Sequence, residues 1–276
     1  MRILDTHLHL VDKARFSYPW LDDVPVLNHE WTAQDYFAEA VGLGIEAALH
    51  MEVDVAEAQI EAETAHMLTV HPRVIGAIAA CRPEHTDFAA FLERVTAQEG
   101  VRGLRRILHT SPDALSQTPL FAENLRRLAA TGLTFDFCVL ARQLPLAVSL
   151  AKAAPDVQFV LDHCGVPDIS GGAMESWRAG ISAVAALPNV ACKVSGIAAY
   201  AAPGWTADTL RPFVEHVIES FGWDRVVWGS DHPVVRLTAD LTRWVQATKT
   251  IVSGASRDEQ ERLFHRNAER LYRVGA

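Results

Sequence analysis

Cysteine is scarce in this chain, long apolar runs are missing, and positive charge is in deficit. Each shortage excludes a class of protein. The four cysteines, Cys81, Cys138, Cys164 and Cys192, are widely spaced and form no C-x-x-C pair. That argues against a disulfide framework and for free thiols buried in apolar, strand-like runs, as in a reducing cytosol. No run approaches the ~18 apolar residues of a membrane helix, and Met1-Arg2-Ile3-Leu4-Asp5 lacks the apolar core of a signal peptide. A cytoplasmic protein without membrane contact is the expectation. With 25 Lys and Arg against 34 Asp and Glu, the net charge is −9, which argues against nucleic acid as a partner. A small substrate is still compatible, because arginines can cluster locally inside an acidic protein. No G-x-G-x-x-G follows the first strand and no P-loop occurs, which weighs against a nucleotide-binding open sheet. No linker, low-complexity tract or charge run divides the 276 residues, so residues 1–276 are expected to form a single domain.

What is present is an alternation. Short β-rich runs recur at 2–6, 46–53, 74–80, 101–108, 133–139, 157–161, 190–194 and 226–228. Helical patterns lie between them. Thr32-Ala33-Gln34-Asp35 reads as a capping box, 55–70 as an amphipathic helix with Glu57, Glu61 and Glu63 outward, and Ser256-Arg257-Asp258-Glu259 as a full capping box. Further helices are expected over 124–130, 144–153, 176–187 and 210–221. Eight such units in this length predict an α/β fold, a single (β/α)8 TIM barrel.

Active sites of such barrels form at the carboxyl ends of the strands. Those ends carry His7 and His9, Glu52 and Asp54, Arg82, Arg105 with His109 beyond, Asp162-His163, Lys193 and Ser195, and Ser230-Asp231-His232. Side chains alternate along a strand, so His7 and His9 share a face, while Arg106 points away from Arg105. Polar groups after so many apolar stems predict one convergent site.

Three blocks carry a resemblance: Asp5-Thr6-His7-Leu8-His9, Val160-Leu161-Asp162-His163-Cys164-Gly165 and Trp228-Gly229-Ser230-Asp231-His232-Pro233. With the closing Asn267-Ala268-Glu269-Arg270-Leu271-Tyr272, the chain resembles the amidohydrolase superfamily. Val101-Arg102-Gly103-Leu104-Arg105 and Cys192-Lys193-Val194-Ser195-Gly196 resemble its lactonase branch, which includes sugar-lactone and pyrone-dicarboxylate hydrolases. Many superfamily members use two metal ions with a bridging lysine. Here Arg105 stands where that lysine is often found, and strand five offers Asp136 or Cys138 in place of a histidine. The resemblance therefore implies at most one divalent ion, zinc by ligand type, held by His7, His9, His163 and Asp231. Members of the branch that need no metal are equally compatible with the sequence.

Lactone hydrolysis needs a base for water, charge stabilisation for the oxyanion and an acid for the leaving alkoxide. Asp231 is the expected base, and His7, His9, His163 and Arg105 the carbonyl-polarising groups. The segment Leu10 to Trp31 exceeds the usual βα loop of roughly 2–6 residues. It holds Tyr18, Trp20, His29 and Trp31, which could face a sugar ring. His29, Trp31, Glu52, Arg82, His109, Trp177 and Tyr200 are the expected substrate-binding residues. A small neutral sugar lactone is the expected partner, L-fuconolactone first, because few arginines serve the strand ends. A metal-dependent decarboxylase of the same superfamily is the alternative. Oligomeric state is not readable.

Overall fold

The computed structural model describes residues 1–171 and 174–275. Eight parallel strands, β1 (Ile3–Leu8), β2 (Ile45–Met51), β3 (Val74–Ala80), β4 (Val101–Ile107), β5 (Thr134–Cys138), β6 (Phe159–Leu161), β7 (Val190–Val194) and β8 (Val226–Trp228), form one sheet in sequential order. β8 returns to β1 at the mouth, where His7 O accepts from Asp231 N (2.9 Å) and His232 O from His9 N (2.8 Å). The expected (β/α)8 barrel is observed.

The helices are α1 (Ala33–Glu39), α2 (Ile60–Met67), α3 (Phe88–Thr96), α4 (Pro119–Arg126), α5 (Leu144–Ala153), α6 (Met174–Ala185), α7 (Ala207–Phe221), α8 (Leu241–Ile251), α9 (Arg257–Glu261) and α10 (Asn267–Tyr272). Thr32 and Ser256 cap α1 and α9 as expected. Helix α4 starts five residues earlier than expected, at the Thr118-Pro119 pair: Thr118 Oγ1 accepts from Phe121 N and the proline takes a first-turn position that needs no N–H donor. Helices α3 and α8 go beyond those expected. Helix α2 corrects a second expectation, because Glu63 is fully buried and accepts from His50 Nε2 at 3.1 Å. His50 thus points outward from β2 to the helix layer. None of the described helices is long and apolar enough to cross a membrane. All four cysteines are buried and free.

Two apolar layers result. The large one lies between sheet and helices. The smaller fills the barrel interior with Leu4, Leu49, Met51, Ile78, Val160, Ala191 and Val227, packed against Ala268, Leu271 and Tyr272 of α10. The polar side chains of the strand ends lie in the layers above it.

Candidate active site

Strand alternation alone would not carry both Leu4 and His7 into the barrel interior. The β1–β2 register shifts between Asp5 and Leu8, so β1 contains an extra residue there, and such a bulge re-aims the side chains that follow. Asp5 pins the distortion: its Oδ1 accepts from His7 N (3.0 Å) and Ser230 N (2.8 Å), and Tyr36 OH donates to its Oδ2. One buried carboxylate thus fixes the strand ends bearing His7 and Asp231 against each other. His7 and His9 pack edge to face, with ring centroids 4.8 Å apart, and His9 reaches the cavity above them.

β6 delivers two adjacent residues to one place. After Asp162 the chain adopts left-handed backbone at His163 (φ 54°), and Asp231 does the same after β8 (φ 56°). Left-handed conformations at non-glycine residues cluster at functional sites. His163 lies against Gly196, where a Cβ would sit 2.2 Å from His163 Nδ1, and Gly229 similarly leaves no room for a Cβ beside His7. Gly196→Ala is therefore expected to displace the imidazole. An ångström-scale misplacement can cost about 10²-fold in rate, so comparing kcat with wild type, alongside the melting temperature, checks the placement.

The imidazoles, carboxylates and cations converge. Asp231 Oδ1 lies 3.4 Å from His9 Nε2 and 3.6 Å from His7 Nε2. His163 Nδ1 meets Ser195 Oγ at 2.9 Å, leaving its Nε2 free. Arg105 Nε donates to Glu52 Oε1 (2.5 Å) and Nη2 to Glu52 O (2.8 Å), so Nη1 points to His7 Nε2 at 3.4 Å. Arg106 takes the opposite face and binds Glu84, as expected. Beneath the histidines, Lys193 Nζ is fully buried between Asp136 Oδ2 (2.7 Å) and Asp162 Oδ1 (3.0 Å), 3.3 Å from His7 Nδ1. Tyr272 OH donates to Asp136 from below.

Burial dominates the electrostatics. It pushes the Asp231 carboxyl up to about 6, against the pull of His163 and Arg105. It pushes His9 down to about 3, helped by Arg105, and lowers His7 and His163 as well. The imidazoles are held neutral, so Arg105 and Lys193 face four buried carboxylates: Glu52, Asp136, Asp162 and Asp231. The excess of negative charge favours a proton or a cation at this spot.

The donor set fits one divalent ion. His9 Nδ1 lies 3.0 Å from Met51 O and must carry the proton there, so its Nε2 turns a lone pair toward Asp231. Two acceptors facing each other at 3.4 Å suit a cation between them. Ligand atoms of His7, His9 and Asp231 lie within 4.8 Å of one another, as do those of His7, Asp162 and His163.

A cavity of about 210 Å³ opens above these groups, lined by His9, Trp20, Asp54, Arg105, His109, Tyr200 and Asp231 among others. Of the expected substrate-binding residues, His109 and Tyr200 line it. Four others do not. Trp177 sits in α6, 1% exposed, its Nε1 donating to Cys164 O and its ring against Phe213. That is a packing position behind the β6 turn. Glu52 is buried in its ion pair with Arg105 and orients that guanidinium. Arg82 turns to Asp54 and Glu57 and lines a separate groove beside α2 and α3. Trp31 stacks on the exposed His29 (4.0 Å) and packs at the rim against His232; Trp20, held by Val53 O, supplies the aromatic wall instead. Asp162, Lys193 and Asp54, expected only as polar strand-end groups, join the site, and Trp20 is the aromatic of the long first loop that lines the cavity. The two strand-end carboxylates were visible as such, but their direction depends on backbone turns that no alternation pattern shows.

A barrel whose mouth gathers neutral imidazoles, a raised carboxyl and a clamped guanidinium defines a barrel hydrolase. The amidohydrolase family profile matches residues 4–274, and the chain belongs to that family, in its lactonase branch. It is 30% identical over 280 residues to the L-fucono-1,5-lactonase of Burkholderia ambifaria, spanning 98% of this chain and 95% of that protein. It is also 30% identical over 293 residues to the uncharacterized protein y4mH of Sinorhizobium fredii, spanning 99% of this chain and 98% of that protein. A crystal structure of an amidohydrolase from Burkholderia multivorans with bound zinc shares the fold at a TM-score of 0.91, over 100% of both chains, with 24% identity.

Proposed function

We propose that this chain hydrolyses a small neutral sugar lactone to its aldonic acid, with L-fuconolactone the first candidate. The observation that carries the neutral-substrate reading is the occupation of the arginines. Arg105 is clamped by Glu52, and Arg82 turns away to Asp54 and Glu57. Among the described residues the cavity lining holds no guanidinium besides Arg105 to receive a substrate's carboxylates, while Asp54 and Asp231 add negative charge. The walls offer Trp20, Tyr200 and His109, which suit a hydroxylated ring. The likeness to an L-fucono-1,5-lactonase across nearly the whole chain supports the same reading.

The chemistry follows from the groups present. Asp231, raised toward neutrality by burial, accepts a proton from water as that water attacks the carbonyl carbon. Arg105 Nη1 and the Nε2–H of His163, whose Nδ1 accepts from Ser195 Oγ, stabilise the oxyanion. The ring C–O bond then breaks, and the ring oxygen takes the proton from Asp231 to become a hydroxyl. His7, His9, His163 and Asp231 would hold a divalent ion, which when bound supplies Lewis-acid polarisation of the carbonyl.

A panel of aldonolactones in a pH-indicator assay tests the reading, since each ring opened releases an acid. Turnover of neutral members is expected, and hydrolysis of none would end the proposal. Exhaustive chelation is expected to slow turnover without abolishing it, because Arg105 and Asp231 remain. Metal analysis before and after chelation makes the comparison quantitative. Loss of carbon dioxide from aromatic acids, with no lactone opened, would point to a decarboxylase.

A further inference from the structure

Asp54 is a cavity carboxylate to which the hydrolytic step assigns no task. It follows β2 by three residues, lines the same cavity as Asp231 and His109, and has left-handed backbone (φ 49°). That conformation is held from within the site: Asp54 N donates to Glu52 Oε2 at 2.7 Å, and Glu52 Oε1 is the acceptor that clamps Arg105. One carboxylate therefore sets both the oxyanion-facing guanidinium and the residue two positions further on. Asp54 pairs across the rim with Arg82 Nη2, at 3.5 Å to Oδ1, and shares that guanidinium with Glu57, so among the described residues its Oδ2 keeps its acceptor capacity. Burial and the neighbouring Glu52 raise the Asp54 carboxyl above its ordinary value, as befits a group short of hydrogen-bond donors.

We infer that Asp54 determines specificity, its carboxylate accepting hydrogen bonds from ring hydroxyls of the substrate and repelling lactones that carry carboxylates. This rests on the reading of the site as a neutral-lactone hydrolase. An ionised carboxylate accepts hydroxyl donors strongly and offers no donor to an anion. Its position is fixed relative to the reacting carbonyl through Glu52 and Arg105, so it can report where hydroxyls stand on the ring. His109, whose buried Nδ1 lacks a partner, lines the same cavity.

The test compares wild type, Asp54→Asn and Asp54→Ala on three lactones: a polyhydroxylated aldono-1,5-lactone, unsubstituted δ-valerolactone and 2-pyrone-4,6-dicarboxylate. The readout is the ratio of kcat/KM values. Hydrogen bonds to a charged group contribute enough that the hydroxylated-to-plain ratio is expected to fall by about 10- to 100-fold in Asp54→Ala. The loss should lie mainly in KM, and Asp54→Asn should show a smaller fall. The ratio of dicarboxylate to plain lactone is expected to rise in both variants. Equal proportional loss on hydroxylated and plain lactones, leaving the ratio at its wild-type value, would overturn the inference alone. Failure of wild type to open any neutral lactone would overturn both the inference and the reading beneath it.

Discussion

Asp231→Asn is expected to lower kcat/KM on the favoured lactone by a factor on the order of 10²–10⁴, the usual contribution of a positioned general base. The amide keeps the shape of the carboxylate but cannot take a proton from water or return one to the ring oxygen. Folding should survive the change. Asp231 sits among more carboxylates than cations, and its raised carboxyl shows that burial disfavours its charge. Removing that charge relieves the site, so the melting temperature should hold or rise. Steady-state kinetics with a thermal melt checks both halves. A loss under about tenfold would remove Asp231 from the role of base.

The second large effect concerns stability. Lys193→Met is expected to destabilise the fold by about 3–5 kcal/mol, the range for breaking a buried ion pair from one side. Lys193 is the cation between Asp136 and Asp162 at the barrel's centre, and all three are fully buried. Without it, two carboxylates lie beneath His7, Asp136 keeping the hydroxyls of Thr134 and Tyr272 as donors and Asp162 facing Arg105 Nη1 at 3.8 Å. For a chain of this size the melting temperature should drop on the order of 10 °C. Adding Asp136→Asn to the same protein should recover part of the loss, because one unpaired charge disappears with it. A melt of the single and double variants decides it: equal instability would mean that packing, and not charge, makes Lys193 important.

The barrel was legible because its signal repeats. Eight apolar runs separated by helical patterns leave little choice of architecture, and β3 matches its expected bounds residue for residue. The polar strand ends were legible for the same reason: His7, His9, His163 and Asp231 each follow an apolar stem. What sequence could not show was direction. Asp162 and His163 are adjacent, so alternation would send them to opposite faces; left-handed backbone at His163 brings both inward. Glu63 looked like an outward residue of α2 until His50, turned outward from β2, gave it a buried partner. The long first loop was recognisable by length alone. Which of its aromatics reaches the cavity depends on the loop's path, and that path brings in Trp20 while leaving Trp31 at the rim. Trp177 fell within an expected helix, where an indole that packs behind a turn reads like one that faces a ligand.

The proposed opening of neutral lactones rests on arginines committed to internal carboxylates. The most direct measurement is kcat/KM for a neutral aldonolactone and for 2-pyrone-4,6-dicarboxylate, on one preparation, by proton release. Clear preference for the neutral ring is the predicted result. Preference for the dicarboxylate would contradict it, since that substrate needs cationic groups which Glu52, Asp54 and Glu57 already hold.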